Sequence, residues 1–491
     1  MTEHVATSWI GPQFVLGMGS HCAAMVSAGP PAAQRWVPSA PRVRPRRLPE
    51  GFAFAAFIDA HAHLGGLGRA RWGLDLSSAF TEEDFVRLLS AGTPPGDVLL
   101  AFGARIQPDL CCRVLDTLFP ETPALARRVD EHAICANRAA LRRLQELGAG
   151  SFDTHSGVFL EAQMELLQKV FCECEYDDDI WLEGFLSEQQ NIFLGQGCSC
   201  VHEMAVDDRL WCALDGARRR GTLKLRVRAF MRTGSEAVSW EDEDPLLLRR
   251  CGSKLFADGA LGSSGARLSI PYSNGSQGDS IDSLEARREV ALSARERGCQ
   301  LAVHCIGDVA LDETLDLVEA LGVEASCRWR VEHVQVASPL SIARLARLGL
   351  GVCVQPSHAR VDLGWAKPVL GPLLEDAYPY ERMRRAGIPI GLGSDHPIEA
   401  IDVPGILADA CSNESAPSGF PRRFTREAAL SAFTRGAAWL GFDEHQLGAL
   451  RPPFLADFSV WDRDLRQLPV EELRAARCLA TVVGGELCWE R

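Results

Sequence analysis

At 491 residues the chain exceeds the roughly 250–300 residues at which single cores stop growing, so more than one structural unit is expected. Hydrophobic residues make up 46% and charged residues 24%, a globular balance that excludes a disordered or fibrous chain. The net charge of −14 repels nucleic acid and anionic membrane and argues against both as partners.

The chain opens with an apolar stretch from Phe14 to Gly29 that looks like a signal-peptide core. No Lys or Arg precedes it, however, and His21 interrupts it. No segment reaches the roughly 18 uninterrupted apolar residues of a membrane span, so a cytoplasmic location is expected. The cysteines number 17, an odd count, and Cys200, Cys305 and Cys353 sit in apolar runs, so they read as buried, reduced thiols. Cys172-x-Cys174 and Cys198-x-Cys200 are spaced too closely for the cysteine pairs of a zinc site. The basic run Arg42–Arg47 reads as a solvated linker.

Residues 54–60 (FAAFIDA) form an apolar run with strand character. A long excursion follows over residues 65–197, far beyond ordinary loop length. Its helical patterns at Glu82–Ala91 and Arg138–Leu147, with the acidic run Asp177–Asp179, predict a mixed insertion capping the barrel mouth. From residue 198 onward short apolar runs alternate with amphipathic stretches, the pattern of parallel strands joined by crossover helices. The predicted strands are 198–204, 224–231, 253–258, 300–305, 329–334, 351–356 and 388–394, with helices at Leu284–Arg297, Ala310–Leu321 and Pro339–Leu348. Together with 54–60 they make an α/β fold of the (β/α)8 TIM-barrel type. Residues 456–462 and 480–491 alternate like strands, with a hairpin turn at Gly484-Gly485. They complete a small β-sandwich domain built from both chain ends. The expected division is 1–53 for the N-terminal part of that domain, 54–430 for the barrel, and 431–491 for a C-terminal helix and the rest of the β domain.

His61 and His63 follow the first strand in a His-x-His pair, and side chains two apart on a strand point the same way, so both can reach one metal ion. Alone the motif is weak. His304, His333 and Asp395 then fall at the ends of three later predicted strands, and in a barrel these C-terminal ends converge on the face that carries active sites.

The chain here resembles the amidohydrolase superfamily, and specifically amidohydrolase family 3, the branch similar to N-substituted formamide deformylases. The resemblance rests on FIDAHAHLGG (57–66), VDEHAICANRAAL (129–141), VHEM (201–204), KLFADGALGS (254–263), AVHCIGD (302–308), RVEHVQ (330–335), VQPSHA (354–359) and GLGSDHPIE (391–399). It departs from the family at AFGAR (101–105), where Gly-Trp-Asp is usual, and at His396, where a small residue or Trp is usual.

The resemblance implies that His61, His63, His304, His333 and Asp395 are metal ligands, with Lys254 bridging as a carbamate. It implies a divalent cofactor of two ions, zinc first, with iron, manganese or nickel as alternatives. Such a centre lowers the pKa of bound water and polarises a carbonyl, while Asp395 takes the water's proton and passes it to the leaving nitrogen. His132, His202, Asp258, His358 and His396 are candidate substrate contacts, and Asn137 is weighed with them.

The expected function is hydrolysis of a C–N bond (amide, formamide or cyclic amide) in a small molecule. The alternatives are the same centre acting on an ester or lactone or as a deaminase, or a non-catalytic binding or regulatory homologue. A homodimer is left open.

Overall fold

The computed structural model describes residues 6–10, 13–14, 24–26, 35–36, 43–65, 73–76, 78–91, 98–129, 133–147, 157–160, 167, 179–233, 235, 244–362, 364–412, 424–451 and 453–491. His132, Asp177, Asp178, Arg42, Cys172, Cys174 and most of the 14–29 stretch lie outside the described residues. The chain divides into two compact units, one of Met1–Leu64, Leu182–Asp258 and Arg267–Arg491, the other of Gly65–Trp181 and Gly259–Ala266.

The first unit holds an eight-stranded parallel sheet. Its strands are β1 (Phe57–Ala62), β2 (Cys198–Val206), β3 (Arg226–Arg232), β4 (Leu248–Phe256), β5 (Gln300–Cys305), β6 (Arg330–His333), β7 (Gly351–Val354) and β8 (Ile390–Leu392), each paired with the next in sequence. β4 begins five residues before the start expected from sequence, because Arg249 and Arg250 break the apolar run without breaking the ladder to β3. The sheet closes on itself beyond β8, where the Asp395 amide donates to the His61 carbonyl at 2.8 Å and the His63 amide to the His396 carbonyl at 2.7 Å. Asp59 of β1 fastens the same seam by accepting from the Ser394 amide at 3.0 Å and the Ser394 hydroxyl at 2.5 Å. This closed sheet with its outer helices is the TIM-type barrel that the strand pattern predicts.

The crossover helices start and stop where local chemistry dictates. Asp207, Ser283 and Ser338 cap Asp208–Arg219, Leu284–Arg297 and Pro339–Leu348 by accepting from the amide three residues on. The helix Asp308–Leu321 buries Leu311, Leu315 and Val318 along one stripe. Each fully buried side chain of that kind is worth about 1.5–3 kcal/mol.

The chain ends build two further sheets. Phe52–Ala55 pairs antiparallel with Phe458–Trp461, which continues into Cys478–Val483 and Glu486–Glu490. The last two strands turn through Gly484 (φ 55°) and Gly485 (φ 79°), a pair of positive φ angles that matches the twist of a tight hairpin. Alternate residues Ala53, Ala55, Phe458, Val460, Ala480 and Val482 form its core. The second sheet orders Arg35–Trp36, Ala24–Val26, Ala6–Ile10 and Val43–Arg47. Val43–Arg47, within the run read as a linker from sequence, is therefore an edge strand, a position that tolerates its proline and arginines.

The second unit carries its own sheet, ordered Val158–Leu160, Ala133–Ala136, Ala124–Arg128, Leu99–Ala104 and Leu74–Asp75. Strand alternation divides its core in two. Ala124, Ala126 and Cys135 pack with Phe85, Leu89, Cys111 and Leu115 of the helices Glu82–Ala91 and Pro108–Leu118. Leu125, Ile134 and Ala136 pack instead with Ala140, Leu141 and Leu144 of the helix Arg138–Glu146. Asn137 caps that helix and is saturated, its Oδ1 accepting from Ala124 and Ala140 and its Nδ2 donating to Phe119 and Thr122.

Candidate metal centre

β1, β6 and β8 deliver side chains to one buried point at the C-terminal end of the barrel. His61 Nε2 and His63 Nε2 each stand 3.3 Å from Asp395 Oδ1. The donor atoms of His61, His333 and Asp395 all lie within 4.8 Å of one another. His333 (φ 73°) and Asp395 (φ 60°) both adopt the left-handed backbone region, which costs a non-glycine residue about 1–3 kcal/mol and so marks positions held by their surroundings. The His304 ring packs 4.5 Å from that of His333, and Lys254 Nζ lies 3.5 Å from His61 Nε2. The six positions singled out from sequence as ligands thus cluster together.

The far nitrogen of each key histidine is already engaged. His61 Nδ1 donates to Glu332 Oε2 at 2.6 Å, His63 Nδ1 to the Met204 carbonyl at 3.0 Å, and His333 Nδ1 to Gln355 Oε1 at 2.9 Å. All three partners accept, so the hydrogen sits on Nδ1 and the lone pair on Nε2 of each ring. For His61 and His63 that lone pair meets a carboxylate oxygen of Asp395, an arrangement of facing acceptors that a cation relieves. Two donors on a tetrahedral ion with bonds of about 2.0–2.1 Å stand about 3.3 Å apart, the spacing found here. The residues present therefore fit a divalent metal.

Electrostatics reinforce this. Burial drives His61 and His333 well below the usual histidine value, keeping both rings neutral as ligands require. Burial lowers His63 as well, but its contact with Asp395 outweighs this and raises it. The Asp395 carboxyl is in turn held below the usual range, against burial, by the positive charge that these rings, or a cation in place of their protons, put beside it. Lys254, fully buried, is brought down to about 8 by desolvation despite Glu332 and Asp395 nearby.

The remaining candidates separate. His358 belongs to the cluster, its Nε2 lying 3.5 Å from Asp395 Oδ2 and its ring stacked on His333 at 6.0 Å. His396 bonds Gln189 Oε1 at 2.9 Å and packs edge-on against Phe193. Asp258 is engaged by backbone, accepting from Ile306, Gly307 and Arg267 amides at 2.8–3.0 Å, and so clamps the loop after β5. His202 is fully buried beside Arg330 and Phe230. Sequence reading passed over Glu332, Arg330, Asp59 and Gln355, which hold the cluster from behind. Arg330 and Glu332 stand two apart in RVEH, so opposite charges on one face of an apolar strand were the available signal.

A parallel eight-stranded barrel gathering histidine and aspartate donors at the C-terminal ends of its strands defines a metal-dependent hydrolase of the TIM-barrel class. Comparison with known proteins agrees. The chain belongs to the amidohydrolase family, whose model matches residues 50–488. "Putative amidohydrolase YtcJ" of Bacillus subtilis is 27% identical over 89% of this chain and 89% of its own. The N-substituted formamide deformylase of Arthrobacter pascens is 26% identical, covering 89% of this chain and 88% of its own. The fold is shared with an uncharacterized metal-dependent hydrolase from Pyrococcus horikoshii, with a TM-score of 0.74 at 23% identity over 95% of this chain and 99% of that one. Family membership implies a divalent metal. Among the described residues no helix is long and apolar enough to cross a membrane.

Proposed function

We propose that the protein hydrolyses a C–N bond, in an amide, formamide or cyclic amide of a small molecule, at the centre of His61, His63, His304, His333, Asp395 and Lys254. The observation that carries the reading is the convergence of the His61 and His63 Nε2 lone pairs on Asp395 with each Nδ1 already committed. Zinc, as two ions, suits these donors best. When bound, such ions bring the pKa of water towards neutrality and polarise a carbonyl.

The chain's own groups supply the rest. Asp395 meets His61 and His63 through Oδ1 and leaves Oδ2 towards His358. Oδ2 is therefore the oxygen that takes a proton from the attacking water and returns it to the departing nitrogen. Lys254, with its pKa near 8, is roughly one-tenth neutral amine at pH 7. That amine attacks carbon dioxide, forming an N–C bond and releasing a proton, and the resulting carbamate presents two oxygens in place of an ammonium. His358 lies within reach of a substrate oxygen bound beside Asp395. A cytoplasmic location belongs to the same reading, supported by the free thiol of every described cysteine.

The test is turnover of paired amide and ester panels by zinc-loaded protein. The reading expects metal-dependent amide cleavage that His61→Ala abolishes; cleavage of esters alone would overturn it.

A further inference from the structure

Behind the proposed ligands lies a pair of opposite charges that the mechanism does not use. Arg330 and Glu332 share the inward face of β6 and are fully buried. The guanidinium donates through Nε to Glu332 Oε1 at 2.5 Å and through Nη2 to Glu332 Oε2 at 2.9 Å. Nη2 also donates to the Ala60 carbonyl at 2.7 Å, and Nη1 to His202 Nδ1 at 2.8 Å. Ala60 immediately precedes His61, so one guanidinium holds both the backbone at His61 and the carboxylate that meets its ring.

Glu332 Oε2 lies 2.6 Å from His61 Nδ1. That separation is a charge-assisted hydrogen bond, and it is too short for two ligands of one ion, which stand about 3.3 Å apart on tetrahedral zinc. The nearby trio of His61, Glu332 and Cys353 is therefore not a second ion site. With Arg330 donating to both of its oxygens, Glu332 is an acceptor only, and the ring hydrogen of His61 must sit on Nδ1.

We propose that Glu332, clamped by Arg330, is the positioning residue that holds His61 in the tautomer able to ligate metal and thereby sets the metal affinity of the centre. The inference rests on the metal-binding reading above. Glu332→Gln keeps the size of the side chain and reverses its instruction. The amide oxygen of the glutamine faces Arg330, its NH2 donates to His61 Nδ1, and the ring hydrogen moves to Nε2, the atom that must bind.

Two readouts test this on the full chain. Zinc affinity is measured by competition with a chromogenic chelator, and the His61 tautomer by 15N spectra of histidine-labelled, metal-free protein, with His61→Gln assigning the signal. The expected result for Glu332→Gln is zinc binding weakened about 10- to 100-fold, together with a shift of His61 from Nδ1–H to Nε2–H. A merely structural ion pair would not move the tautomer. Should the single variant fail to fold, the neutral double variant Arg330→Met/Glu332→Met removes the acceptor together with its clamp, and zinc affinity should fall while the His61 hydrogen is no longer held on Nδ1 alone. Wild-type protein that binds zinc no more tightly than Glu332→Gln, with an unchanged tautomer, overturns the inference alone. Wild-type protein that takes up no zinc overturns the proposed function itself.

Discussion

Replacing Asp443 with alanine removes the counter-charge from a guanidinium that has no route to water. Arg228 on β3 is 0% exposed and Asp443 1%, and they meet at 2.6 Å (Nε–Oδ2) and 3.2 Å (Nη2–Oδ1). Among the described residues Arg228 otherwise reaches the Val227 and Leu246 carbonyls, at 3.2 and 3.3 Å, while Asp443 Oδ1 also stands 3.3 Å from Nη2 of Arg249, which is partly exposed. Leaving that charge unpaired costs about 3–5 kcal/mol, whereas taking both charges away together is close to neutral, because desolvation offsets most of what the pair gains. Urea unfolding followed by the fluorescence of Trp329 and Trp461, both buried in the barrel unit, measures the difference. Asp443→Ala should lose about 3–5 kcal/mol, and Arg228→Met/Asp443→Ala should recover most of it. A single variant that loses under about 1 kcal/mol, or a double variant as unstable as the single, would refute the account of an obligate buried pair.

Glu313 accepts from Arg267 and from buried Arg287, and although burial raises it, these partners hold its pKa below the ordinary 4.5. Its stabilisation is therefore present above pH 4.5 and lost as pH falls through the lower folded value, so Glu313→Gln should flatten the acid limb of stability against pH. An unaltered acid limb would count against this. A Cβ at Gly252 would sit 1.8 Å from the Gln300 carbonyl oxygen, between β4 and β5, so Gly252→Ala should destabilise the barrel by about 1–3 kcal/mol in the same urea assay. Adding zinc at about 100 times its dissociation constant should stabilise the chelator-treated protein by about 2.7 kcal/mol, read as a raised unfolding midpoint; no rise would count against an ion joining β1, β6 and β8.

The barrel was legible because seven of its eight strands, all but β4, are buried on both faces and read as short apolar runs. The same pattern put His304, His333 and Asp395 at strand ends, where a simple positional rule turns them inward. The supporting layer was harder to see. Glu332 contacts His61 across 271 positions and Asp59 meets Ser394 across 335, and no local pattern encodes such pairings. Asp258 and His202 show a related difficulty, since the sequence does not reveal that Asp258 engages backbone amides as well as standing 3.7 Å from His304 Nε2, or that His202 meets the Arg330 guanidinium. Val43–Arg47 misled because edge strands carry the charge and proline that also mark linkers.

The seam that joins β1 to the residues after β8 also dictates when activity can first exist. The Asp395–His61 and His63–His396 backbone bonds and the Asp59–Ser394 contacts that accompany the meeting of Asp395 and His61 all need residues 394–396. During synthesis at about 5–20 residues per second, the first histidine pair therefore emerges many seconds before its carboxylate partner, on the order of 300 residues later. A nascent or truncated chain can display His61 and His63 but cannot assemble the centre, so metal uptake reports that the circle of strands is complete.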